Sequence, residues 1–338
     1  MAGLLDDSLP SRLARRLISV SGVVVAASLV ITTLPGTLAL ALVVDLVRRQ
    51  RLAWCRGLLY LAYFLAAECV GVALALALAV IAPLLGRRRS EGAYAALQAN
   101  WVRSLAAGFT RLYGVRLEVE GAEAAARGPL ILLVRHAHAL DTLLPITVVS
   151  IPFGLRPRYV LKRELQWDPC LDIVGHRLPN VFIRRGGGAG EAPRIAELAR
   201  DLGAGGVVMI YPEGTRFSRR GRARRLAALA ERGDPLLAAA EALQHTLPPH
   251  LAGVQALVDA DPTLDVAIFT HVGLEGVRSL ADLFKGTMIG RRLQIKIWRA
   301  PAATIPREPE ALRAWLFDQW AAVDEWVGAA LAASNPEG

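Results

Sequence analysis

Residues 130–141 read Leu-Ile-Leu-Leu-Val-Arg-His-Ala-His-Ala-Leu-Asp. The segment opens with branched apolar residues, a pattern typical of a strand that is buried on both faces. His136, His138 and Asp141 follow without a break. In α/β proteins, functional groups lie just beyond the carboxyl ends of parallel strands. The segment therefore predicts a buried parallel strand with a polar site at its end.

Short apolar runs of the same kind recur along the chain and alternate with helical patterns. This alternation predicts an α/β fold, with a largely parallel sheet flanked by helices. The predicted strands are residues 115–120, 130–135, 158–162, 180–183, 206–210, 263–271 and 293–299. The predicted helices are residues 94–113, 141–150, 191–202 and 308–332.

The N-terminal region is different in character, because residues 17–47 and 57–86 are two long apolar runs. As single helices they would each be roughly 45 Å long, against a hydrocarbon core of about 30 Å. They must tilt, overhang into the membrane interface or break, and Pro35-Gly36 is the predicted break in the first run. Residues 1–89 are therefore predicted to be a helical membrane anchor, and residues 90–338 a separate α/β domain.

Arginine clusters flank both apolar runs and leave the topology open. Two simple spans would place the middle cluster across the membrane, against the positive-inside tendency. Paired re-entrant or interfacial helices would keep every cluster on the cytoplasmic face, and the pattern slightly favours this arrangement. The clusters are Arg12, Arg15 and Arg16, then Arg48, Arg49, Arg51 and Arg56, then Arg87, Arg88 and Arg89.

Composition points the same way. The chain has 39 basic and 30 acidic residues, a formal net charge of +9 that would suit either nucleic acid or a membrane surface. Its 54% hydrophobic content favours the membrane and excludes a disordered or collagen-like chain. We therefore expect a membrane partner and no nucleic-acid partner. The three cysteines, Cys55, Cys69 and Cys170, are not spaced as in a disulfide framework or a zinc site.

The chemistry expected after residue 134 is that of a general base. A carboxylate beside an imidazole fixes its tautomer and raises its basicity. His136 and Asp141 are five residues apart, so a strand-to-helix turn can bring them together, although Asp141 also suits a plain helix N-cap. His138 forms an H-x-H pattern with His136, but the remaining histidines are scattered, and no metal site is predicted.

A second polar junction follows the strand predicted at residues 206–210. Residues 211–216 read Tyr-Pro-Glu-Gly-Thr-Arg, where the glycine permits close backbone approach and the threonine and arginine can donate to an anion. The same residues also suit an ordinary turn. The nearby run from Arg219 to Arg225 is interpreted as a solvated face, or alternatively as a contact with anionic headgroups.

Together the two junctions resemble the glycerolipid acyltransferase family, in the long-form branch of its 1-acylglycerol-3-phosphate acyltransferases. The family's H-x4-D signature is similar to His136 and Asp141, and its F-P-E-G-T-R block to residues 211–216, with tyrosine in place of phenylalanine. Its I-x-R strand end resembles residues 181–185, and its Lys-x-Glu-Leu stretch resembles residues 162–165. The resemblance is close over residues 128–220 and looser over 90–300.

The resemblance implies transfer of a fatty acyl group to the free hydroxyl of 1-acylglycerol-3-phosphate, which forms phosphatidate. His136 would act as the base and Asp141 would orient it. The acyl donor would be a thioester of coenzyme A or acyl carrier protein, and no further cofactor is expected. The bacterial inner membrane is the expected location, with the catalytic domain on the cytoplasmic side. The residues implied to hold the substrate phosphate are Lys162, Arg185, Glu213, Gly214, Thr215 and Arg216.

Two alternatives stay open at this stage. The acceptor could be another lysolipid, such as lysophosphatidylglycerol or a lyso-aminolipid. The chain could also be a non-catalytic membrane protein in which His136 is a satisfied core residue.

Overall fold

The computed structural model describes residues 8–138, 140–184, 188–275 and 279–334, together with residues 5 and 277. The chain divides into two compact units. The first unit comprises residues 1–116, 161–184 and 279–291, and the second comprises 117–160, 185–278 and 292–338. The first unit thus contains more than the predicted anchor of residues 1–89.

The described residues contain one seven-stranded sheet. From one edge to the other, its strands are β1 (Arg116–Glu120), β7 (Arg292–Ala300), β6 (Asp265–Val272), β2 (Leu130–Val134), β5 (Gly206–Ile210), β3 (Arg156–Lys162) and β4 (Val181–Ile183). β2 pairs in parallel with both β5 and β6, β3 pairs in parallel with β5, and β7 is antiparallel to β6. The α/β prediction of a largely parallel sheet flanked by helices is confirmed.

The centre of the sheet is its most deeply buried part. Every residue of β2 is inaccessible to solvent, as its unbroken apolar sequence predicts. The register aligns Leu133 of β2 with Ile210 of β5 and with Ile268 of β6. The segments that follow these three strands therefore begin at one edge of the sheet.

The helices of the second unit are α4 (Ile151–Phe153), α6 (Ala192–Ala196), α7 (Arg219–Glu231), α8 (Leu237–Ala242), α9 (Leu251–Ala260) and α10 (Pro309–Ser334). The helix predicted at residues 141–150 is present within a helical segment over Leu140–Phe153, but its form is irregular, since a 3-10 turn at Leu140–Leu143 leads to a π-helical turn at Ile146–Ser150 and then to α4. Pro145 and Pro152 lack the N–H groups that a regular α-helix needs here. The helix predicted at 191–202 ends at Ala196, beyond which the chain forms turns.

The first unit contains α1 (Leu9–Arg48), α2 (Ala53–Leu85), α3 (Arg87–Tyr113) and α5 (Pro169–Gly175). The break predicted at Pro35-Gly36 is wrong, because α1 continues through Pro35. Proline fixes a φ value that suits a helix, and hydroxyl groups of nearby threonines donate to the carbonyls of Ser28, Leu29 and Thr33, which precede Pro35. α1 and α2 are the two described helices that are long and apolar enough to cross a membrane, judged by length and composition.

A buried ion-pair cluster fixes the start of α1 within the first unit. The Asp172 carboxylate lies 2.8 Å from Arg15 Nη2 and 2.8 Å from Arg16 Nε, and 3.0 Å from His176 Nδ1. The side chains of Arg15 and Asp172 are both fully inaccessible. Burial opposes ionisation of Asp172, but the hydrogen bonds from His176, Arg15 and Arg16 prevail and lower its pKa to about 2.

Replacing Asp172 with alanine should strongly destabilise the first unit. The substitution leaves the buried Arg15 charge without its carboxylate, and removing one partner of a buried ion pair costs about 3–5 kcal/mol. Thermal unfolding of the detergent-solubilised protein measures the loss. Glu91→Ala is the control, because Glu91 pairs with the exposed Arg87 at the surface of α3 and should change stability by less than about 1 kcal/mol. An unfolding temperature for Asp172→Ala equal to that of the control would contradict this account.

Candidate active site

His136 is held beside a carboxylate directly after β2. Its Nδ1 lies 3.2 Å from Asp141 Oδ1 and 3.1 Å from Oδ2. Its ring packs against the ring of Tyr211, with 4.8 Å between the two centroids. No described residue hydrogen bonds to the other ring nitrogen, Nε2. The pairing predicted from the five-residue spacing is present, with one nitrogen engaged and the other left for a reacting group.

Asp141 also organises the loop that carries His136. Its Oδ2 accepts the backbone N–H groups of Ala137, at 2.7 Å, and of His138, at 2.9 Å. This local turn brings residues that are five apart into contact. Burial opposes ionisation of the carboxyl group, but hydrogen bonds from His136 and His271 prevail and hold the pKa of Asp141 well below its usual range. Asp141 is thus a carboxylate at neutral pH.

The carboxylate of Glu213 fixes the backbone at His136. Its Oε1 accepts the N–H of His136 at 2.9 Å, and its Oε2 accepts the N–H of Leu247 at 3.0 Å. The carbonyl oxygen of His136 in turn accepts the N–H of Phe217 at 3.0 Å. Glu213 is fully buried, and burial raises its pKa. The resemblance implies a contact between Glu213 and a phosphate, but its contacts in the structure are those of a residue that positions the backbone.

The turn after β5 depends on a glycine. Gly214 has φ +61° and donates its N–H to the carbonyl of Tyr211 at 2.8 Å. A Cβ at Gly214 would lie 3.2 Å from His250 Cδ2 in addition to straining the backbone. The N–H of Thr215 donates to the Glu213 carbonyl at 2.7 Å, and that of His250 donates to Pro212 at 2.9 Å. The turn is therefore tightly bonded to its surroundings.

The arginines of residues 219–225 differ in their contacts on α7: some donate to backbone carbonyls, and others are exposed to solvent. Arg225 donates through Nη2 to the carbonyl of Glu213 and through Nη1 to that of Pro248, so that it supports the turn after β5. Arg222 likewise donates to the carbonyls of Leu243 and Glu241. The exposed members are Arg219, Arg220 and Arg224. The interpretation of the whole run as a solvated face is correct for these three and wrong for Arg222 and Arg225.

The remaining predicted phosphate-binding residues have different positions. Arg216 is exposed and directly follows the turn at residues 211–215. Lys162 is the last residue of β3 and belongs to the first unit. Arg185 lies outside the described residues. The structure thus brings together His136, Asp141 and the 211–216 segment, while contacts of Lys162 and Arg185 with a phosphate stay predictions.

Two residues that the sequence analysis did not identify, Arg135 and His271, also lie at the site. Arg135 is buried, and its guanidinium donates to the carbonyls of His271 and His245. His271 is also fully buried, with Nε2 3.7 Å from Asp141 Oδ2. His271 ends a predicted strand, but only the structure shows that this strand pairs in parallel with the one before His136.

The arrangement can accept a proton at His136 Nε2 while Asp141 stabilises the resulting imidazolium. His138 is a weaker candidate base, since burial lowers its pKa to about 4 and its Nε2 is 4.0 Å from Glu275 Oε1. Over the described ranges, no group of three or more His, Cys, Asp or Glu residues is placed to hold a metal ion.

Part of the chain matches a known protein family. Residues 116–264 match the family model described as Acyltransferase, a segment that includes His136, Asp141 and residues 211–216. Among solved structures, the 1-acyl-sn-glycerophosphate (LPA) acyltransferase PlsC from Thermotoga maritima aligns with 15% identity and a TM-score of 0.46. The alignment covers 78% of this chain and 97% of that chain. No curated protein matches the chain.

Exchanging Arg225 for glutamine should impair the site, whereas the same exchange at Arg224 should not. The first change removes donors to two carbonyls on different segments, and each lost hydrogen bond costs about 1 kcal/mol or more when it leaves a buried acceptor unsatisfied. The free energy of unfolding should therefore fall by about 2 kcal/mol for Arg225→Gln. Chemical unfolding of both variants makes the comparison at equal net charge. Equal stability of the two variants would remove Arg225 from its supporting role.

Proposed function

We propose that this chain transfers a fatty acyl group from a thioester donor to the free hydroxyl of 1-acylglycerol-3-phosphate, forming phosphatidate. Residues 116–264 match the family model described as Acyltransferase, which supports an acyl transfer. The supporting observation is the His136–Asp141 pair, with Nδ1 within 3.2 Å of both carboxylate oxygens. The pair occurs inside the matched segment, on backbone held by Glu213.

The proposed reaction begins when His136 Nε2 removes the proton from the acceptor hydroxyl. The oxygen attacks the thioester carbonyl and forms a new C–O bond, after which the C–S bond breaks. The departing thiolate takes the proton from the imidazolium, so that the base returns to its starting state. Asp141 stays ionised and holds Nδ1 throughout. Since the acceptor supplies the nucleophile, the step needs no acyl-enzyme intermediate.

We assign Arg216 to the acceptor's phosphate. It is exposed, and it lies between Glu213, whose side chain accepts the His136 N–H, and Phe217, whose N–H donates to the His136 carbonyl. A guanidinium suits phosphate because it donates in a planar, bidentate geometry. The donor is coenzyme A or acyl carrier protein thioester, and neither requires a further cofactor.

We also propose that the chain is attached to a membrane through α1 and α2. Both helices are long and apolar enough, and α1 leaves large apolar side chains exposed along its length. Burial of such side chains in lipid is favourable at about 25 cal/mol per Å². The flanking arginines suit the cytoplasmic face of a bacterial inner membrane. The exposed residues include Leu17, Val25, Leu29, Leu40 and Val47.

His136→Ala should lose nearly all turnover while the protein stays folded. Removal of a general base typically costs about 10²–10⁴-fold in rate. Thiol release from oleoyl-CoA in the presence of lysophosphatidate, by membranes that carry the protein, measures the loss. Asp141→Asn is expected to be impaired in the same assay. Turnover retained in His136→Ala would overturn the mechanism, and stimulation by lysophosphatidylglycerol alone would overturn the assigned acceptor.

Arg216→Gln should raise the KM for lysophosphatidate by about 10-fold or more, the size expected when a hydrogen bond to a charged group is lost. The KM for monoacylglycerol, which lacks the phosphate, should stay the same. Arg220→Gln serves as the matched control, because Arg220 is an exposed arginine near the same turn. An unchanged KM for lysophosphatidate would exclude Arg216 from phosphate binding.

A further inference from the structure

His271 lies beside His136 at the carboxyl ends of two parallel strands. The last registered pair of β2 and β6 is Val134 with Phe269, and each histidine comes two residues later. His271 is fully inaccessible to solvent. It is outside the segment that matches the family model, which ends at residue 264.

The contacts of His271 define its tautomer. Its Nε2 lies 3.3 Å from the carbonyl oxygen of Arg135 and 3.7 Å from Asp141 Oδ2. Both neighbours are acceptors, so Nε2 must carry the proton. Its Nδ1 is buried and has no hydrogen-bond partner among the described residues. His271 therefore donates to the Arg135 carbonyl, and the same Nε2–H lies next to the carboxylate that holds the base.

Reciprocal contacts tie His271 to the residue that precedes His136. The Arg135 guanidinium donates to the carbonyl of His271, while the Arg135 carbonyl faces His271 Nε2. The Arg135 N–H also donates to the Phe269 carbonyl at 3.0 Å. Any movement of the imidazole would therefore disturb the end of β2 and the Asp141 carboxylate together.

We propose that His271 is a positioning residue for the general base: its Nε2–H holds the Asp141 carboxylate and the end of β2, so that Asp141 presents its oxygens to His136 Nδ1. This inference rests on the proposed function and deepens it. His271 acts through Asp141 and takes no part in bond making.

Removing the His271 N–H changes the electrostatic potential at the His136 imidazole. Without His271 N–H, the negative charge of Asp141 is less compensated and attracts the His136 proton more strongly. Among the residues that the structure describes, the other charged and titratable groups around this pair are Arg135, His138, Tyr211, Glu213 and Glu275. They are unchanged by substitution at residue 271, so the acid limb of the kcat/KM profile should move to higher pH.

The experiment compares two substitutions in the full chain. His271→Leu fills similar space without a donor, whereas His271→Gln supplies an amide N–H. For His271→Leu we expect about a 10-fold fall in kcat, little change in KM for lysophosphatidate, and a shift of the acid limb to higher pH. His271→Gln should recover most of the rate and the original limb. Thr270→Val is the matched control, because Thr270 is equally buried on the adjacent position of β6 and should leave the profile unchanged.

Several results would overturn the proposal. They are a rate loss in His271→Leu without a shifted limb, equal losses for leucine and glutamine, or the same loss in Thr270→Val. A second measurement needs no turnover: nitrogen NMR of labelled imidazoles in detergent micelles follows the titration of His136. Its midpoint should be higher in His271→Leu than in wild type. If no acceptor supports turnover, the proposed function fails, while an unchanged midpoint would refute the role of His271 separately.

Discussion

A buried carboxylate, that of Glu213, connects the segments from which the site is built. An ionised carboxylate in a protein interior is costly unless it is hydrogen bonded and accompanied by positive charge. Here the compensation comes from the N–H groups of His136 and Leu247 and from the charge of Arg135. Because these groups belong to separate parts of the chain, their convergence fixes the backbone around β2 and β5. The His136 side chain then has few orientations left to adopt.

The side-chain chemistry is built on that fixed backbone. Asp141 is positioned by two neighbouring N–H groups, and it directs the His136 ring through Nδ1. The long-range contacts of Glu213 and the short-range contacts of Asp141 therefore have separate tasks. The contacts of Glu213 fix the position of the His136 backbone, and those of Asp141 set the tautomer and basicity of the His136 imidazole.

Much of this could be read from the sequence because the information is local. Sequence patterns predicted all seven strands to within two residues at each end. Unbroken apolar runs indicated the buried strands β2 and β5, and alternation of polar and apolar residues indicated the exposed strand β1. The pairing of His136 with Asp141 followed from their spacing and the turn between them. Pro35 was misleading because the fixed φ of proline is compatible with a helix, and α1 continues through it.

What the sequence could not supply depends on contacts between distant residues. Arg135 and His271 are far apart in the chain and meet only through the strand order. Glu213 also accepts the N–H of Leu247, and the separation of these two residues in the sequence gives no indication that they are in contact. Neighbouring arginines of α7 look alike in sequence, and only the helix orientation separates those that face carbonyls from those that face solvent.

The orientation of α7 constrains which residues can replace Arg224 and Arg225 during evolution. The chain uses arginine for nearly all of its cations, so Arg224 and Arg225 look equally interchangeable with lysine. At residue 224 the exposed ammonium of lysine would supply the same charge. At residue 225 the two acceptors belong to separate segments, and a lysine ammonium cannot reproduce the spread of a planar guanidinium. As the base composition of a lineage drifts, we expect lysine to enter at 224 while arginine persists at 225.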